Sequence, residues 1–160
     1  MRFEKVSVDE AIKLHFKTFG WSPSREKMAE ILEKLPLPHR GSAKSAGYDF
    51  HSPVAKVIKA GDIARIPLFV KVVGMPSRAV LLMFDRSSLA LNKGLCMTNN
   101  CGIIDADYDQ CIWYQAKAEK DQVIIDPYDR ICQGIFVNFL TVEGDSVTEK
   151  RVGGIGSTGR

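Results

Sequence analysis

Arginine, hydroxyl side chains and glycine recur together along this chain, a combination suited to binding oxyanions. "DRSSLALNKG" places Arg86 beside Ser87 and Ser88, and "DRICQG" sets Arg130 three residues before Gln133. "AGYDFHSP" puts Asp49 just after Ala46 and Gly47, and "RVGGIGSTGR" joins Arg151 to glycines, Ser157 and Thr158. An arginine offers a fixed fork of donors, hydroxyls add neutral donors, and glycine lets backbone N–H groups approach closely. Carboxylates in such a set can hold a magnesium ion or orient a water molecule. Taken singly, each stretch also reads as a solvated turn; the shared chemistry makes the set informative.

A fifth stretch, "GIIDADYDQ", places Asp105, Asp107 and Tyr108 directly after Ile103 and Ile104. Charged groups beside an apolar run need water or a partner. An exposed hairpin turn is the plainest reading.

The elements that must carry these stretches divide the chain by periodicity. Ile12, Phe16 and Phe19 repeat at helical spacing and stop at Gly20. A second helix is expected with Ser22 as cap, Pro23 at its first position and Met28, Ile31, Leu32 and Leu35 as its apolar stripe. Such stripes are packing faces, so the helical pair is assigned to docking on the domain or on a neighbour, and it invites a protein partner. Beyond Tyr48 come short β-branched and aromatic runs, from "VAKVIKA" and "IARIPLFVKVV" to "ICQGIFVNFLTV", with no helices between them to make parallel crossovers. A sandwich or barrel follows.

The composition sets bounds. A chain of 160 residues, 45% hydrophobic, builds one core, and a net charge of +3 carries no signature of a nucleic-acid binder. No apolar run is long enough to span a bilayer and the start lacks a secretory pattern, so a soluble, cytoplasmic protein is expected. Cys96, Cys101, Cys111 and Cys132 have no zinc-like spacing and are expected as reduced, packed thiols.

Together and in this order, the stretches resemble the five motifs of the trimeric deoxyuridine triphosphatase (dUTPase) family, from Ala46 to Gly159. "AGYDF" resembles the first, "RSSLA" with "KGL" the second, "GIIDADY" the third, "DRICQ" the fourth and "RVGGIGSTG" the fifth. The resemblance implies an all-β jelly-roll (β-clip) domain, a homotrimer with shared sites, and hydrolysis of dUTP to dUMP and pyrophosphate. Asp105 would activate the attacking water. Tyr108 would pack on the deoxyribose and exclude a 2′-hydroxyl, while Asn99 and the backbone at Gly102 would meet uracil. Arg86, Ser87, Ser88, Gln133 and Arg151 would bind the triphosphate, with Ile155, Gly156, Ser157 and Thr158 closing over the nucleotide. Asp107 and Arg130 would brace the site, and Asp49 would face the water shell of a Mg2+ ion chelated by the phosphates.

The implied divisions are a helical extension over 1–40, the β domain over 41–148 and a glycine-rich lid over 149–160. Four departures from the family pattern stand out, the first being Gln110 where glycine usually follows the "DYD" segment. Ile155 replaces the usual phenylalanine, Asp85 stands where proline is commoner, and Arg151 lies closer to the glycine pair than usual, with Lys150 beside it. The related dCTP deaminases share the fold, but Leu91 and Gln115 occupy the places of their arginine and proton-carrying glutamate. A non-catalytic nucleotide-sensing or protein-binding module is the remaining alternative; the presence of Asp105, Tyr108, Arg86 and Gln133 argues against it.

Overall fold

The structure, a computed structural model, describes residues 1–149, 151 and 153. The chain opens with strand β1 (Arg2–Lys5), then helices α1 (Val8–Phe19) and α2 (Arg25–Lys34). Five short strands follow: β2 (His39–Arg40), β3 (Tyr48–His51), β4 (Lys56–Ile58), β5 (Ile63–Pro67) and β6 (Val70–Val73). Next come β7 (Ala79–Asp85), α3 (Ser87–Lys93), β8 (Leu95–Met97) and β9 (Gly102–Ile104). β10 (Trp113–Ala118), β11 (Val123–Ile125) and β12 (Arg130–Asn138) complete the order.

Every ladder between named strands is antiparallel. The largest sheet runs β2-β3-β12-β7-β9, and β5-β10-β8, β1-β6 and β4-β11 form smaller ladders around the same core. This fits the sandwich or barrel expected from the short runs and the jelly roll that the resemblance implies; α1 and α2 lie at the N-terminal side, and α3, a helix not expected among the strands, joins β7 to β8. The run "IARIPLFVKVV" becomes two strands rather than one, because the chain turns at Phe69, whose φ is +53°.

The helices follow from their caps. Ser7 accepts the Glu10 N–H at the start of α1, and Gly20 ends it at φ +75°, a value that suits glycine. α2 is capped by Ser24, accepting from the Lys27 N–H, rather than by the expected Ser22; Pro23 therefore lies outside the helix. Starting there brings Arg25 against Asp9 of α1. The inward faces of both helices place Ala11, Met28, Leu32 and Leu35 in one cluster with Phe50, Ile66, Leu81 and Tyr114 of the β domain. Extension and β domain thus share a core, and β1 pairs with β6 along its whole length.

At the centre of the large sheet Gly134 lets β12 pass closely under its neighbours. A Cβ there would lie 2.7 Å from Leu81 Cδ1 and 3.0 Å from both Met83 Sδ and Phe50 Cε2. All four cysteines are free; Cys111 and Cys132 are buried, and burial pushes the Cys111 thiol up to about 12.

Gly134→Ala is expected to destabilise the fold by about 1–3 kcal/mol through overpacking. Urea unfolding of the two proteins measures this, and an unchanged midpoint would show that the surrounding side chains give way freely.

Candidate active site

The first cluster forms where β3, β7 and β12 lie side by side. Register sets Gln133 opposite Asp49 and Phe84, and Cys132 opposite Asp85, so the end of β7 delivers Arg86 beside Asp49. Asp49 is 9% exposed, and its two oxygens are divided between two cations. Oδ1 accepts from Arg86 Nε at 2.9 Å and Oδ2 from an Arg130 terminal nitrogen at 3.2 Å. Arg86 also donates to the Arg130 carbonyl at 3.4 Å. Two guanidiniums against one carboxylate leave the cluster with surplus positive charge.

Around this triad lies a cleft of about 510 Å³ lined by Ser45, Gly47, Ser87, Ser88 and Gln133, among others. Ser87 and Ser88 are exposed in the first turn of α3, for which Arg86 is the N-terminal boundary residue. Gln133 donates to the Asp85 carbonyl at 3.0 Å. Gly47 makes room for that side chain, since a Cβ at position 47 would stand 2.6 Å from Gln133 Oε1. Polar groups from three separate segments therefore converge on one concave, cationic surface. Such a surface takes a polyphosphate.

The second cluster lies on the turn after β9. The Tyr108 N–H donates to the Asp105 carbonyl at 3.1 Å, which closes the turn. Tyr108 is buried, its hydroxyl donates to the Cys111 carbonyl at 2.8 Å, and burial pushes its pKa up. Asp105 stays half exposed. Arg151 reaches this turn: its guanidinium pairs with Asp105, its Nε lies 3.2 Å from Asp107, and its backbone N–H donates to Asp107 at 3.3 Å. The guanidinium carbon also stands 5.8 Å from the centre of the Tyr108 ring.

Asn99 and Gly102 belong to a third stretch, the turn from β8 into β9. Asn100 sits there at φ +58°, and Gln115 of β10 donates to Thr98 Oγ1 at 2.9 Å. Asn99 itself is exposed. Ile155, Gly156, Ser157 and Thr158, together with Lys150, lie outside the described residues.

Asp49, Arg86, Ser87, Ser88, Arg130 and Gln133 thus meet, and Asp105, Asp107, Tyr108 and Arg151 meet, but the two groups stand apart. Ile104 pairs with Leu81, and Arg86, just past the end of β7, lies five residues further on, about 17 Å of backbone at the rise of an antiparallel strand. The pairing of Arg151 with Asp105 and Asp107 had no signal in the sequence beyond opposite charge. Two further bracing side chains, Gln115 and Asp85, carry no mark in the sequence because their partners lie 12 to 48 residues away.

The dUTPase family pattern matches residues 33–159. A deoxyuridine 5'-triphosphate nucleotidohydrolase of Lactococcus lactis subsp. lactis is 38% identical over 134 residues, covering 78% of this chain and 89% of that one. Its counterpart in Oryza sativa subsp. japonica is 33% identical, covering 83% and 80%. Among solved structures, a dUTPase from Streptococcus mutans superposes with a TM-score of 0.68 at 31% identity, over 90% of this chain and 100% of that one. A dUTPase from phage phi11 of S. aureus, described with a structural Mg(II) ion, shares the fold at 23% identity and a TM-score of 0.63, over 73% and 92%. The chain belongs to the dUTPase family.

Gly47→Ala should push Gln133 off the Asp85 carbonyl. Calorimetry with inorganic triphosphate is expected to show affinity falling by about 1.5–3 kcal/mol, the cost of one lost hydrogen bond to a charged ligand; unchanged affinity would show that Gln133 does not bind phosphate.

Proposed function

We propose that this chain hydrolyses dUTP to dUMP and pyrophosphate, which limits uracil entry into DNA and supplies dUMP. The observation that carries the reading is the cleft in which Asp49, Arg86, Ser87, Ser88, Arg130 and Gln133 converge from separate parts of the chain. Arg86 and the two serines contact the triphosphate, and Asp49 with Arg130 holds the Arg86 fork in place. Fixed donors of this kind stabilise charge as it develops, without reorganisation during the reaction.

Asp105 accepts a proton from a water molecule, whose oxygen attacks the α-phosphorus. The bond from that phosphorus to the bridging oxygen breaks and pyrophosphate leaves. Tyr108 presents its ring to the deoxyribose and leaves no space for a 2′-hydroxyl. Asn99 and the main chain at Gly102 read the polar edge of uracil and reject the amino group of cytosine.

Magnesium fits as part of the substrate. No group of three or more His, Cys, Asp or Glu side chains is placed to hold a metal among the described residues, and both oxygens of Asp49 already have arginine partners. An ion arriving with the phosphates would need no such group, and Asp49, whose oxygens hold Arg86 and Arg130, would meet it only through water. When bound, the ion neutralises phosphate charge.

The distance along β7 supports a shared site. Asp105 leaves β9 beside Leu81, whereas Arg86 follows the far end of β7, about 17 Å of strand away, so a water at one and a phosphate at the other are better brought together from different subunits. In a homotrimer one subunit supplies the third motif, a second the phosphate cleft and a third the C-terminal segment. Arg151 then exchanges Asp105 and Asp107 for phosphate oxygens, which compete for the same donors. No helix among the described residues is long and apolar enough to cross a membrane.

Two measurements test this reading. Asp105→Asn should lower kcat for dUTP at least about a hundredfold while the unfolding midpoint moves little, whereas Arg86→Ala should lower kcat/KM by about 10²–10³. An Asp105→Asn variant that releases pyrophosphate at the parental rate would end the proposal. Deleting residues 151–160 should leave a folded, trimeric and nearly inactive protein; full activity would take the C-terminal segment out of the site.

A further inference from the structure

Asp85 lies at the joint between the two functional regions of one chain. It is the last residue of β7 and directly precedes Arg86. Its side chain faces the start of the Asn99 turn: the Met97 N–H lies 3.0 Å from Oδ1 and 2.9 Å from Oδ2. The Tyr114 hydroxyl donates to Oδ1 at 3.0 Å. In the other direction the Asp85 carbonyl accepts the Gln133 amide at 3.0 Å. One residue thus grips the root of the base-reading turn with its carboxylate, a phosphate-cleft side chain with its carbonyl, and Arg86 through the peptide bond.

These bonds are well insulated. Tyr114 is fully buried, and burial together with the Asp85 charge pushes its hydroxyl well above the ordinary tyrosine range, so it stays a donor. Met97 is 5% exposed, and its own carbonyl accepts the Asn100 N–H at 3.4 Å. The turn carrying Asn99 is therefore anchored at two points, at Met97, which Asp85 holds, and at Thr98, which Gln115 holds through its carbonyl at 3.2 Å and its side-chain amide at 2.9 Å. A proline at this position, the residue commoner in the family, has no carboxylate and could make none of the side-chain contacts.

We propose that Asp85 is a positioning residue that fixes the uracil-reading turn to the phosphate cleft, so that base recognition depends on it although it touches no substrate. The proposal rests on the hydrolase reading above. Where sites are shared between subunits, the two regions it joins serve neighbouring nucleotides.

The test compares the parent, Asp85→Asn and Tyr114→Phe with dUTP and dCTP, and follows hydrogen exchange at the Met97 amide. Asparagine replaces one acceptor oxygen with a donor that opposes the Met97 N–H or the Tyr114 O–H. In Asp85→Asn, KM for dUTP is expected to rise about tenfold with kcat within about threefold, because the Asn99 turn contributes binding while Asp105 is untouched. The preference for dUTP over dCTP should fall about tenfold, since discrimination requires the turn to be held still. Met97 exchange should quicken at least about tenfold with its acceptor weakened.

Tyr114→Phe keeps the Met97 contact and should show the same changes at about threefold, the loss of one hydrogen bond. A folded Asp85→Asn protein with parental KM, base preference and Met97 exchange overturns the proposal. Should Asp85→Asn not fold, parental values in Tyr114→Phe overturn it equally. If the parent itself fails to hydrolyse dUTP, the functional reading falls, while Met97 exchange still reports whether Asp85 anchors the turn.

Discussion

Everything on the phosphate side depends on how one carboxylate is shared. Asp49 is nearly buried and stands between Arg86 and Arg130, one oxygen for each. An unpaired guanidinium held that deep would be costly, and a fully neutralised one would have nothing to offer an anion. Two cations around one anion meet both demands. The pair fixes the direction of Arg86, whose side chain is 22% exposed, and leaves net positive charge for a ligand. The strands serve that arrangement: β3 supplies the acid, β12 one cation and the end of β7 the other, and only their antiparallel register brings the three together.

The same strand sets a limit. β7 reaches Arg86 at one end, while β9 pairs along its middle and leaves it toward Asp105. Among the described residues nothing shortens that span, which is why the proposed site draws its parts from more than one subunit. The turn bearing Asp105 and Tyr108 is rigid because the tyrosine is buried with its hydroxyl satisfied. Arg151 occupies the exposed side of that turn with charge pairs, interactions that a phosphate can replace at little cost.

Much of this was legible in the residues. The short β-branched runs specify antiparallel strands, and the arginine, serine and glycine groupings, which suit oxyanions, mark Arg86, Ser87, Ser88 and Gln133, side chains that the fold brings to one cleft. Substrate identity entered through the resemblance of five ordered motifs. What could not be read depended on distant partners. The strand "RFEK" is too short and too polar to stand out, and it exists because Val70–Val73 offers it a ladder. Ser24 outcompetes Ser22 as cap because α2 must also meet α1. Asp85 looked like a mere substitution for proline, since its bonds to Met97 and Tyr114 cross 12 and 29 residues of sequence.

The β1–β6 ladder also bears on how the N-terminal region can change. Among the described residues β6 has no other strand partner, and "VKVV" has Val70 and Val72 facing the core. Trimming the leader to obtain a minimal catalytic domain would strip that strand and bare a short, β-branched ribbon of unpaired backbone. Such ribbons recruit strands from other molecules. The first five residues therefore cover an edge of β6 that a shortened version would leave open to strands of other molecules.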